Sequence, residues 1–117
     1  MRMMAITVNG CAPGNIFPAF ILGSAALATG DELIIFFTPA GAPMLVKGAM
    51  EKVNVKGLPN LVELVDSVKE LGGRIMMCEL ALEVKGIKRE DIIDGVEIVG
   101  ATTFVVEAKN ATLTFSF

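Results

Sequence analysis

The sequence predicts an α/β fold in which a largely parallel sheet of five strands is covered by helices on both faces. Three observations lead there. Short apolar runs alternate with stretches at helical spacing, as βα units do. The runs "MMAITV" and "ELIIFF" are almost continuously apolar, as strands buried on both faces are. The 117 residues are 53% hydrophobic with a mean hydropathy of +0.64, enough to cover both sheet faces and to supply an apolar contact between subunits. The length fits a single domain, 1–117, and is too short for two.

The elements follow in order. Met3 to Val8 is the first strand, and "NGCAPGN" the turn-rich loop behind it. Asn15 is expected to cap a helix through "IFPAFILGSAALA" that stops at Gly30. Glu32 to Phe37 is the second strand, followed by a short helix around Met44 to Met50. Pro59 marks the first turn of a helix whose Leu61, Val62, Val65 and Val68 recur at helical spacing, and Gly72-Gly73 ends it. "RIMMC" is the third strand, Glu79 to Lys85 a helix, and "KREDII" a further turn. "VEIVG" is the fourth strand and "ATTFVVEAKN" the last helix. "TLTFSF" alternates strictly, which marks a half-exposed strand at a sheet edge or a subunit contact.

Composition narrows the function classes. A net charge of −3, no basic run and no Trp or Tyr give nucleic acid little to hold. The chain has no histidine, which removes Ser-His-Asp and Cys-His nucleophile activation and histidine metal sites. Two cysteines do not complete a four-ligand zinc site within one chain. No metal and no other cofactor is expected. The uncharged stretch between Arg2 and Asp31 imitates a leader, and "VNGC" a lipoprotein box. Too few apolar residues precede that box for a signal core, and Gly10, Pro13, Gly14 and Pro18 interrupt any membrane span. Neither leader nor membrane segment is expected, and the cysteines read as reduced thiols in a cytoplasm.

Ligands of open α/β sheets bind outside the carboxyl ends of the strands. Both cysteines fall there: Cys11 in the loop after the first strand, Cys78 at the end of the third. At a helix start, the positive end of the dipole favours a thiolate at Cys78, whereas Glu79 and Glu83 disfavour it. Two readings stand for each residue. Cys78 is a reactive thiol or a small apolar side chain filling a strand end, and Cys11 is a second thiol of a relay or an incidental loop residue. The loop from Gly10 to Asn15 also offers backbone N–H groups to an anion, without a dinucleotide or Walker fingerprint.

The ordered segments "ALATGDELIIFFT", "PAGAPML" and "GGRIMMCELALEVKGIKREDIIDGVEIVGATTF" resemble the DsrE/DsrF-like (DsrEFH) family of small sulfur-relay proteins, including its branch labelled peroxiredoxin-like. The strand-end cysteine followed by a short helix, Gly86 and "GIKREDI" is the most specific part. The resemblance implies a three-layer α/β/α sandwich of the Rossmann or flavodoxin type, assembled into homo-trimers or hexamers. It also implies that Cys78 carries sulfur as a persulfide or thiosulfate-type adduct between sulfur-donor and sulfur-carrier proteins. The backbone N–H groups of Glu79 and Leu80 would then stabilise the charged sulfur. Ala81 stands where family members often carry a Ser or Thr hydroxyl, and Pro39 and Ala40 replace common aromatics. A peroxidase would need a donor array that "RIMMCEL" does not supply. The alternative is a non-catalytic oligomeric binding module in which Cys78 only packs.

Overall fold

β1 (Met3–Val8), β2 (Glu32–Phe37) and β3 (Arg74–Cys78) coincide with the expected apolar runs and form the centre of the sheet. In the computed structural model, which describes residues 2–117, the strand order is β4-β3-β2-β1-β5 and every pairing is parallel. Met1, the first residue of the expected domain, lies outside the described residues. β4 (Val96–Val99) and β5 (Leu113–Ser116) are the edges, so the alternating run "TLTFSF" sits where its half-exposed pattern places it.

α1 (Pro13–Ala28) starts earlier than the sequence suggests. Pro13 supplies the fixed φ of a first helical position, and Ala12 before it is extended. Asn15 is therefore inside the first turn, and its Oδ1 accepts the Ala12 N–H at 3.1 Å. Pro18 contributes no N–H to the Gly14 carbonyl, which is tolerated because Gly14 is exposed to water. The expected helix at Met44–Met50 is instead two 3₁₀ turns, Ala42–Leu45 and Met50–Lys52, separated by Gly48 at φ +89°. α2 (Leu61–Glu70) is capped by Asn60, whose side chain accepts the Glu63 N–H at 3.0 Å, so Pro59 lies before the helix rather than in its first turn. α3 (Leu80–Val84) is a short helix, "KREDII" contributes only the 3₁₀ turn Arg89–Asp91, and α4 (Ala101–Ala108) precedes β5.

Three successive crossovers step from β1 to β4 in one direction, and right-handedness puts their helices on one face. There Ile6, Ile35, Ile75 and Met77 meet Ile16, Phe17 and Phe20 of α1, Leu61, Val65 and Val68 of α2, and Ala81 of α3. The return from β4 to β5 must cross the whole sheet on the opposite face, and α4 alone makes it. That second core consists of Ile34, Phe36, Met76 and Cys78, with Met3, Val99 and Phe104 packed against it. The Phe36 and Phe104 rings stack at 4.4 Å. No residue of α4 is buried. The sandwich thus has three layers of very unequal thickness.

Candidate functional site

The change of face defines the site. After β3 the chain turns toward α1 and α2, and after β4 toward the opposite face. The carboxyl ends of these two adjacent strands flank a topological switch point, where open α/β sheets form their ligand crevice. Cys78 is the last residue of β3 and pairs in register with Val99, the last residue of β4.

Side-chain parity sets where the thiol goes. Met76 and Cys78 share one face of β3, and Ile75 and Met77 the other. The Cys78 thiol therefore lies on the α4 side, among apolar neighbours, and only 4% of the residue is exposed. α3 packs on the opposite face through Ala81. The Glu79 N–H, expected to face the sulfur, donates to the Val99 carbonyl at 2.9 Å and ties the two strand ends together. Leu80 opens α3 and is 62% exposed. Gly100 caps α4, and a Cβ there would stand 3.2 Å from Glu79 Oε1. The Glu79 carboxylate thus sits beside the start of α4, where free N–H groups favour an anion.

Cys11 contrasts with Cys78 in its exposure and its neighbours. It is exposed, and its Sγ–H donates to the Ala40 carbonyl at 3.3 Å and more weakly to that of Gly41 at 3.9 Å. The two loops are knitted together: Thr38 donates twice to the Val8 carbonyl, and a Cβ on Gly41 would collide with that same oxygen. In the Gly10–Asn15 loop, Asn15 packs over Gly10 and occupies the Ala12 N–H, one of the donors an anion would use. Both cysteines are free thiols. β2 separates their strands, a spacing of about 10 Å between β1 and β3.

The far end of the α4 face is held by charge. Arg74 reaches Glu97 with two hydrogen bonds of 2.9 and 2.8 Å and Glu107 of α4 with one of 3.1 Å. The hydrogen bond to Glu97, then that to Glu107, raises the guanidinium pKa further, and Arg74 in turn holds the Glu97 carboxyl below the ordinary carboxylate range. Arg74 is four residues, about 13 Å along the strand, from Cys78 and is committed to these carboxylates. Among the described residues no cluster of His, Cys, Asp or Glu is arranged to hold a metal ion, and no helix is long and apolar enough to cross a membrane. Sequence reasoning missed Val99 and Phe104 as neighbours of Cys78, and Gly100 as a neighbour of Glu79, because only the pairing of β3 with β4 and the return path of α4 bring them there.

Residues 4–117 match the DsrE/DsrF-like family. The chain belongs to that family. An uncharacterised protein of Methanocaldococcus jannaschii, MJ0760, is 32% identical over 84% of this chain, and the match spans 37% of that protein. The chain spans less than half the length of this and a second curated relative it matches. The sulfur carrier protein DsrE2 of Allochromatium vinosum is 24% identical, over 75% of this chain and 80% of its own length. Among solved structures, the ychN protein from E. coli superposes with a TM-score of 0.81 at 20% identity, with both chains covered completely. The arrangement of sheet and helices is therefore shared with that solved structure from end to end.

Proposed function

We propose that this protein is a sulfur carrier that holds sulfane sulfur on Cys78 as a persulfide. The observation that carries the reading is the position of Cys78 at the β3–β4 switch point under the thin α4 layer. Membership of the DsrE/DsrF-like family and the likeness to a sulfur carrier protein support it. α4 moves aside to admit the donor. The Cys78 thiolate attacks the outer sulfur of a donor persulfide, the donor S–S bond breaks, and the donor leaves as a thiolate. An acceptor thiolate then attacks the outer sulfur of the Cys78 persulfide and releases the Cys78 thiolate. The sulfane sulfur moves between thiols without net oxidation, and no cofactor enters. A reducing cytoplasm keeps Cys11 and Cys78 available as thiols.

The partners under this reading are a sulfur-donor and a sulfur-carrier protein, and the working form is a homo-oligomer, a trimer or hexamer. Leu80 and Val84 of α3 and Val105 and Val106 of α4 expose more than half of their surface, which supports an apolar contact near the site. Light scattering that finds a monomer at micromolar concentration contradicts the assembly.

A second reading rests on the 4% exposure of Cys78: a non-catalytic binding module in which the thiol is packing. Mass spectrometry after incubation with a persulfide or thiosulfate donor separates the two. The carrier gains reductant-labile sulfur on Cys78, loses it in Cys78→Ser and keeps it in Cys11→Ser. Loading on Cys11 alone, or on neither thiol, supports the binding module.

A further inference from the structure

A cleft of about 430 Å³ opens between the loop after β2 and the segment after α3, away from the neighbours of Cys78. Its volume lies in the range of small-molecule sites. Lys47, Lys52, Lys85 and Lys88 all line it, and Asp91 is the one acid among the lining residues. Four of the chain's ten basic side chains thus converge on one cleft of a protein whose net charge is −3. Among the described residues the ion pairs are those of Arg74, so none of these four ammonium groups is ion-paired, although Asp91 lines the cleft and Glu51 Oε2 stands beside Gly48. The arrangement is not four lysines of one mobile loop. Val46 and Ile92 form an antiparallel bridge, the Lys47 N–H donates to the Asp91 carbonyl at 2.8 Å, and the Ile93 N–H donates to the Leu45 carbonyl at 2.9 Å. Lys47 Nζ is itself held by the Glu90 carbonyl at 3.0 Å. Val46 and Ile87 add apolar surface to the same walls.

Four positive charges against a single acid in the lining leave a net repulsion, and a bound anion relieves it. Lysine serves such a ligand as a point charge, suited to phosphate and carboxylate oxygens alike. We propose that this cleft binds a small organic polyanion, a phosphate ester or a polycarboxylate, with the lysines on its charge and Val46 and Ile87 against its carbon skeleton. The site is independent of the sulfur chemistry of Cys78.

Titration of the full chain with AMP, citrate and adenosine at low ionic strength, followed by calorimetry and amide NMR, tests it. AMP or citrate is expected to saturate, with shifts centred on Gly48 and Gly86, while adenosine does not bind. Saturation by AMP alone identifies a phosphate ester, and by citrate alone a polycarboxylate. Lys52→Glu with Lys88→Glu, two exposed positions, should weaken binding by about tenfold or more, since it replaces attraction by repulsion at both. The milder Lys52→Gln with Lys88→Gln should weaken it by a smaller factor. Failure of both AMP and citrate to saturate overturns the proposal, as does undiminished affinity in the substituted proteins.

Discussion

The two faces of the sheet are built from the same strands and differ in their cover. On one face α1, α2 and α3 close over Ile6, Ile35, Ile75 and Met77. On the other, α4 crosses alone, buries none of its own residues, and covers Ile34, Phe36, Met76 and Cys78 mainly through the Phe104 ring. The difference teaches that burial has two meanings in this molecule. Phe37 is inaccessible because a thick layer must unfold to reach it, whereas Cys78 is inaccessible because one short helix lies on it. Elements with little buried apolar surface open at a fraction of the global unfolding free energy. Under the proposed function, a thiol placed under such an element is stored without being sealed.

The largest expected effect lies on the thick face. Phe37→Ala removes a fully buried ring that packs against Phe20 and should cost about 3–5 kcal/mol in urea unfolding. A loss below about 1 kcal/mol would mean that the two faces do not differ as described. On the thin face, Phe104→Ala should cost only about 1–2 kcal/mol, because the ring is half-exposed and its stacking on Phe36 is the main loss. Its chief effect should be kinetic: alkylation of Cys78 should accelerate by about tenfold as the opening becomes easier. An unchanged rate would show that α4 does not control access.

The smallest effect belongs to the charge clamp. The hydrogen bond from Arg74 holds the Glu97 carboxyl below the ordinary carboxylate range, so its stabilisation is complete above the unfolded pKa of about 4.3 and is lost as pH falls through the lower folded value. Both side chains are substantially exposed, so Glu97→Gln should cost less than about 1 kcal/mol near neutral pH. The melting-temperature difference between the two proteins should shrink toward zero in acid and in high salt. A difference that grows in acid would contradict the assignment.

Much of this architecture was legible in the residues, for identifiable reasons. β2 and β3 matched to the residue because continuous apolar runs bounded by charge, glycine or Thr38-Pro39 leave one choice of strand. β5 declared itself an edge by its alternation. The boundaries of α1 and α2 were displaced because proline and asparagine exchange roles at helix starts. Pro13 rather than Asn15 begins one, and Asn60 rather than Pro59 caps the other. Strand order was not legible, and with it went the unequal faces and the company of Cys78. The reading that Cys78 ends a strand and precedes a helix holds, yet its thiol points away from that helix, a consequence of strand parity combined with the face to which α3 returns. The lysine cleft was equally hidden, since Lys47 and Lys88 meet only through the Val46–Ile92 bridge.

The central claim is that Cys78 is reached by lifting α4 and not by unfolding the protein. Thiol labelling of the Cys11→Ser protein under native conditions, followed across increasing urea, tests it most directly because Cys78 is then the remaining thiol. At low urea the labelling rate should exceed the rate set by global unfolding and change little with denaturant, since a local opening exposes little surface. Only at higher urea should it join the steep global line. A rate that follows global unfolding over the whole range, with its full denaturant dependence, would contradict the account and leave Cys78 as packing.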